Sequence, residues 1–271
     1  MDRLSPVVFN DAWGSYVAIA SLQGRDIPTE LPESELWMGA HESGPAGTDR
    51  PGAPTLAEVV AADPEGELGA ACVTRHGTRL PFLLKVLAPG RAISIQAHPT
   101  AEQARALRRT TGNEVYVDDS AKPELLLAIA PFDIFIGMRE PAEVADIARR
   151  LDVPRFSAMV RRTAAADDPA RALLAAVLAT PADHVADLAR QVVAACVRLS
   201  EDADEVGRAA ATVVEVAEMH PDDIGLVVLL LMHHRVLAPG EYVDVAAGVL
   251  HSYVRGLGIE VLANSDNVVR A

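Results

Sequence analysis

The chain predicts a mainly β fold with an α insert, a β-barrel interrupted by an all-helical domain, and three observations carry that prediction. Alternation of apolar and polar residues with period 2 marks strands before residue 140, as in Ala92-Ile-Ser-Ile-Gln-Ala-His98. Between about 140 and 220 the apolar residues recur at helical spacing instead. Beyond Pro221 the strand pattern returns. The implied division is a first barrel segment over 1–139, a helical insert over 140–221 and a second barrel segment over 222–271.

The elements follow in chain order. Residues 1–57 are rich in Pro and Gly, with short strand-like pieces such as Tyr16-Val-Ala-Ile-Ala20. Segment 56–62 reads as a short helix. Segments 79–86 and 91–98 read as strands joined by a turn at Ala88-Pro-Gly90. Segment 100–109 is helical, with Thr100 as N-cap and Gln103 at capping-box spacing. Segments 124–131 and 133–138 are strands. In the helical block, Leu173, Leu174, Val177 and Leu178 make one stripe; Leu188, Val192, Val193, Cys196 and Val197 make another. Pro154, Pro181 and Pro221 punctuate it, and His184 and His220 read as surface or cap residues. Strands resume at 235–245, around a Pro-Gly turn, then at 248–253 and 259–262. Leu87-Ala-Pro-Gly90 and Leu237-Ala-Pro-Gly240 read as one β-turn used twice.

Composition excludes several function classes. A chain of 271 residues, 50% hydrophobic, is ample for a buried core. Its net charge of −14 argues against a nucleic-acid partner, and any anion site must be built from local cations. Cys72 and Cys196 are too few for a disulfide framework or a cysteine-based metal site, which points to the reducing cytoplasm. The N-terminus has no long apolar leader, and the longest apolar run, 224–232, is too short to span a bilayer, so no membrane role is expected. Lys85 and Lys122 are the only lysines in a chain that otherwise uses arginine. A compact ammonium that can shed its proton when buried is thus reserved for two places, which suggests chemical need.

The candidate site starts from Ser94, Gln96 and His98, which share one strand face between isoleucines. A solvated face would usually carry charges; an uncharged polar row suits a ligand-binding interior. Lys122-Pro-Glu124 and Val249-Leu-His251-Ser-Tyr253 add a carboxylate and a second imidazole. Gln96, His98, Glu124 and His251 then offer a four-ligand metal set. His233-His234 does not, because neighbours on a strand or helix do not share a face.

These stretches occur together with Trp13-Gly-Ser15, Glu35-Leu-Trp-Met-Gly-Ala-His41, Pro81-Phe-Leu-Leu-Lys85, Pro239-Gly-Glu241 and Glu260…Asn264-Ser-Asp-Asn-Val-Val-Arg270. As an ordered set the chain resembles the class I phosphomannose isomerases, zinc enzymes of the cupin fold. The resemblance implies a metal-binding cupin barrel with a helical insertion, one Zn2+ per chain, and interconversion of mannose 6-phosphate and fructose 6-phosphate by a cytoplasmic monomer. It implies Gln96, His98, Glu124 and His251 as zinc ligands. Lys122, Glu260, Arg270 and His41 match catalytic positions, and Ser94, Lys85 and Trp13 match substrate-binding ones. Two departures stand out. The family reads Asn-His before its Lys-Pro-Glu, where this chain has Ser120-Ala121. The family also continues beyond the position of Ala271 with a Gly-Leu-Thr-Pro-Lys segment and a further β-domain, so the barrel is expected to be incomplete at its C-terminal end.

The implied chemistry moves a proton between C1 and C2 of an opened sugar through a cis-enediolate. Negative charge develops on two adjacent oxygens. Two neutral His, one neutral Gln and one Glu leave a zinc ion with a net charge near +1, whereas a second carboxylate in place of Gln96 would cancel it. Arg270 suits the enediolate or the phosphate. Lys122 near a metal could shuttle the proton, although Glu124 opposes the required shift, and Glu260 is the competing base. Residue by residue, alternatives stay open. Glu260 alternates with Ile259 and Val261 and could face solvent, Trp13 could serve packing alone, and His41 lies in a loop-like stretch. A zinc cupin that binds sugar phosphate, or an inactive C-terminally truncated fragment, without turnover, and a metal-dependent oxygenase using two His and one Glu, are the competing readings.

Overall fold

The structure is a computed structural model that describes residues 2–111 and 116–270; Ala271, the last residue of the predicted second barrel segment, lies outside them. The N-terminal region holds β1 (Leu4–Ser5), β2 (Val7–Phe9), α1 (Ala18–Leu22), β3 (Glu35–Met38), β4 (Gly47–Thr48), α2 (Leu56–Ala62), α3 (Pro64–Leu68) and α4 (Ala70–His76). Then come β5 (Phe82–Leu87), β6 (Gln96–Ala97), α5 (Ala101–Thr111), β7 (Glu124–Ala128) and β8 (Phe132–Met138). The helical block is α6 (Pro141–Leu151), α7 (Pro154–Thr163), α8 (Pro169–Leu178), α9 (Ala182–Leu199) and α10 (Glu205–Met219). After it follow α11 (Gly225–Leu229), β9 (Met232–Leu237), β10 (Tyr242–Val245), β11 (His251–Arg255), β12 (Gly258–Ala263) and β13 (Val269–Arg270). No single helix among the described residues is long and apolar enough to cross a membrane.

Two antiparallel sheets dominate. One has six strands in the order β10-β7-β12-β5-β3-β2, the other five in the order β13-β6-β11-β8-β9. From β5 onward the chain passes repeatedly from one sheet to the other. Leu87, Leu126, Ala128 and Val243 of the first sheet share a core with Phe132, Ile134, Leu237 and Tyr253 of the second. This is the jelly-roll arrangement expected of a cupin. Among the described residues the sheets do not close into a barrel. Strands β9 and β10 are consecutive, yet each pairs only inside its own sheet, with β8 and β7 respectively. The barrel expected to be incomplete is accordingly two facing sheets with free edges among the described residues.

Register decides which side chains meet. Arg270, Gln96 and His251 stand opposite one another across β13, β6 and β11. In the other sheet, Trp37, Lys85 and Glu260 stand in line across β3, β5 and β12. Each row comes from three distant stretches of chain, and pairing alone aligns them.

Local expectations fared unevenly. The capping box at Thr100 is present, with Gln103 N–H donating to Thr100 Oγ1 and Thr100 N–H donating to Gln103 Oε1. The stretch Tyr16-Val-Ala-Ile-Ala20, expected as strand, instead leads into α1, because Ile19 is buried against Leu36 and Val86 with Ala18 beside it, while the Ser15 hydroxyl accepts Ala18 N–H. Its short apolar run has no period to separate the two states. Of the strand expected over 91–98 only Gln96–Ala97 is regular strand, although Ile93 N–H also donates to the Tyr253 carbonyl at 2.9 Å. The two Leu-Ala-Pro-Gly turns share a task, both carrying the chain between sheets, but not a conformation. Gly240 has φ +90° in open space; Gly90 has no such φ and packs against Gly14 and Ser15.

The helical block shares its core with the five-stranded sheet. Leu188, Val192, Cys196 and Val213 cluster with Ile95, Phe135, Met232 and Val254. Val197 and Leu178, counted in the apolar stripes, remain exposed. A polar network pins the block at its other end. Arg139, only 2% exposed, donates both guanidinium ends to Glu205 at 2.7 and 2.6 Å. Glu205 also accepts His234 N–H, and His234 Nε2 lies 2.6 Å from Asp133 Oδ1. His233 turns the other way, towards Glu143. Burial alone would raise the Glu205 carboxyl, but Arg139 and the His234 N–H hold it below its ordinary 4.5. Removing one partner of such a pair leaves a buried charge uncompensated. Glu205→Ala is therefore expected to destabilise the chain by about 3–5 kcal/mol in urea unfolding. Because the folded pKa is depressed, the Glu205 contribution is full above about pH 4.5 and fades as pH falls below it, which wild-type unfolding midpoints across that range check against the variant.

Candidate metal centre

A cavity of about 550 Å³ opens between the sheets, and the C-terminal end of α10 contributes Met219 and His220 to its wall. Glu124, at the start of β7, belongs to the six-stranded sheet; His251, at the start of β11, belongs to the five-stranded one. His98 lies just beyond β6. These three are at most 5% exposed, and one ligand atom from each lies within 4.8 Å of the other two.

The imidazoles are held by carbonyls. His98 Nδ1 lies 2.8 Å from the Asn267 carbonyl oxygen and His251 Nδ1 lies 3.1 Å from that of Val249. A carbonyl only accepts, so Nδ1 carries the proton in each ring and Nε2 is left with its lone pair. Both lone pairs point to one carboxylate. His98 Nε2 is 3.2 Å from Glu124 Oε1, and His251 Nε2 is 3.5 Å from Glu124 Oε2. Although shielded from solvent, His98 Nε2 makes no hydrogen bond. Acceptors facing acceptors in a dry site are repulsive unless a cation lies among them. The donor set of two imidazoles and one carboxylate, each ring fixed by a carbonyl behind it, fits a divalent metal. Gln96 lines the same cavity and stands opposite His251 in the ladder.

The electrostatics agree. Burial pushes the Glu124 carboxyl up, but the positive charges of Lys122 and Lys85 pull it below its ordinary range, so the group is a carboxylate. Burial lowers the His251 imidazole, which keeps it neutral and able to ligate. Lys122 Nζ lies 3.3 Å from Glu124 Oε1. Lys85, itself buried, bridges Glu35 at 3.0 Å and Glu260 at 2.8 Å. Burial works against its charge, yet the surrounding carboxylates raise its pKa. Glu260 is 2% exposed and accepts a hydrogen bond from the Tyr253 hydroxyl at 3.0 Å. Burial raises its proton affinity even with Lys85 beside it. Three carboxylates, Glu35, Glu124 and Glu260, thus face two ammonium groups, and a divalent cation reverses the sign of that balance.

The remaining candidates distribute as follows. Ser94, Lys85, Trp13, Lys122, Glu260 and Arg270 all line the cavity. Arg270 is exposed at the rim and donates to the Ser94 hydroxyl at 2.9 Å. Trp13 also packs on the core between the sheets. His41 does not reach this space. It lies edge-on to Trp37 with ring centroids 5.1 Å apart, bonded towards Asp266 at 3.3 Å, and lines a separate cavity. Sequence reasoning passed over Tyr253 and Asn267. Asn267 is wholly buried. Its carbonyl oxygen holds His98, while its side chain accepts Val117 N–H and donates to the carbonyls of Asp118 and Ser120. The only hint was an asparagine at the end of an Asn-Ser-Asp-Asn run, since polarity does not reveal burial.

Comparison with known proteins adds to this geometry. Residues 1–141 match the family model "Phosphomannose isomerase type I, catalytic domain". Over its full length the chain is 31% identical to mannose-6-phosphate isomerase of Escherichia coli K12, of which it spans 70%. It is 32% identical to the enzyme of that name from Emericella nidulans over 96% of the chain and 62% of the relative. Among solved structures, an arginine-to-alanine mutant of phosphomannose isomerase from Salmonella typhimurium superposes with a TM-score of 0.86 at 30% identity, covering all of this chain and 70% of the other. A zinc-bound mannose 6-phosphate isomerase gives 0.84 with the same identity and coverage. With the family model spanning half of it and relatives matching nearly all of it, the chain belongs to the type I phosphomannose isomerases.

Proposed function

We propose that the chain is a zinc-dependent isomerase that interconverts mannose 6-phosphate and fructose 6-phosphate. The observation that carries the reading is the buried convergence of His98, Glu124 and His251 beside a sugar-sized cavity, in a chain whose relatives bear this name. His98, Glu124 and His251, with Gln96 next to them, would hold the zinc. Bound there, zinc supplies positive charge to offset the negative charge that develops on the sugar oxygens. A zinc-bound relative and the acceptor-rich donor set both support that ion.

The other residues divide the remaining work. Glu260 is the base that takes the proton from one carbon and returns it to the next. It lies in the cavity wall, and its burial raises proton affinity towards the range a base needs. Tyr253 and Lys85 hold its carboxylate in place. Lys122 donates to the substrate oxygens, and Arg270 at the rim offers a permanent positive charge. The helical insert closes one side of the site through Met219 and His220. Two free cysteines, with Cys196 buried, support a reducing compartment.

Chelator treatment of the purified chain is expected to abolish mannose-6-phosphate isomerisation in a coupled assay, and zinc to restore it; full activity after metal stripping would overturn the reading. The stripped chain should also melt at a lower temperature than the zinc-loaded one. Glu124→Ala is expected to leave substoichiometric metal after dialysis, read by elemental analysis. Glu260→Gln, Lys122→Ala and Arg270→Ala should each retain zinc while lowering kcat by about 100- to 10,000-fold.

A further inference from the structure

The cations of the cavity are unequally committed. Lys85 is shared between Glu35 and Glu260, and Lys122 lies against Glu124. Arg270 donates to Ser94. Arg91 lines the same cavity and is exposed, and among the described residues its guanidinium makes no ion pair or hydrogen bond. An arginine on a loose surface loop would carry little meaning, but this one stands on a clamped turn. The N–H groups of Gly90 and Arg91 both donate to the Trp13 carbonyl, at 2.9 and 3.0 Å. Pro89 bridges to Gly14, and a Cβ on Gly90 would stand 2.9 Å from the Gly14 oxygen. The backbone that carries Arg91 is thus fixed against the Trp13-Gly-Ser15 segment, at the wall where Trp13 and Ser94 also lie.

A chain of net charge −14 offers an anion no general attraction. Five acidic residues, Asp11, Glu35, Glu124, Glu260 and Asp266, line this cavity as well. An anionic group is best held here by a cation that no carboxylate neutralises, which leaves Arg270, engaged through one nitrogen with Ser94, and Arg91, whose whole planar fork is open to two oxygens of a phosphate. We propose that Arg91 is the binding and specificity residue for the phosphate group of the substrate. For the identity of the sugar this rests on the isomerase reading above; the anion site itself does not.

The test uses the zinc-loaded full chain, its Arg91→Gln and Arg91→Lys variants, and Arg190→Ala on the insert surface as a control. Inorganic phosphate is titrated by calorimetry, and KM and kcat are measured with mannose 6-phosphate. Arg91→Gln is expected to weaken phosphate binding and to raise KM by about 10- to 100-fold, with kcat falling much less. Arg91→Lys should lie between, because the ammonium keeps the charge but loses the fork. Arg190→Ala should change neither constant. Equal phosphate affinity in wild type and Arg91→Gln overturns the proposal, as does a loss confined to kcat. Absence of isomerase turnover in the wild-type chain would sink the functional reading instead, and the phosphate titration would still decide the role of Arg91.

Discussion

The carboxylate of Glu124 is the point on which this molecule turns. It belongs to one sheet and faces two imidazoles positioned by the other, and all three groups are shut away from water. Burying a carboxylate costs several kcal/mol unless opposite charge accompanies it. Here Lys122 supplies part of that charge, while the two rings present lone pairs that only a cation can satisfy. A metal held by His98, Glu124 and His251 would do more than chemistry. It would join strands that the hydrogen-bond ladders leave in separate sheets.

The second buried carboxylate, Glu260, shows how neighbours divide roles between like groups. Glu124 and Glu260 are both almost wholly enclosed. Glu124 is driven to the charged form by Lys122 and Lys85, whereas Glu260 shares one lysine with Glu35 and has its proton affinity raised by burial. One is suited to hold a cation and the other to hold a proton.

The helical insert takes part in the site because it is not free to drift. The Arg139–Glu205 pair fixes the start of α10, and the apolar cluster with the five-stranded sheet fixes its length. The far end of that helix then delivers Met219 and His220 to the cavity wall. Anchoring at one end and lining at the other follow from a single rigid rod of about 1.5 Å per residue.

Much was legible from residue order alone. Period-2 runs and helical stripes gave the strand–helix–strand plan, and the capping spacing at Thr100 and Gln103 located the start of α5. The polar row at Ser94, Gln96 and His98, with Lys122, Glu124 and His251 in familiar order, supplied the candidate chemistry. These are local patterns, and local patterns are set by backbone geometry that short stretches of sequence encode. What only the tertiary structure decided depends on contacts between distant segments. It turned Tyr16-Val-Ala-Ile-Ala20 towards a helix through the burial of Ile19, drew Glu260 inside when its alternation allowed either face, and set His41 behind Trp37 and away from the cavity. It also gave Asn267 its place behind His98 and, among the described residues, left the Arg91 guanidinium in the cavity wall without a partner. Burial, register and charge pairing belong to the assembled chain, because each is a relation between residues that sequence spacing does not measure.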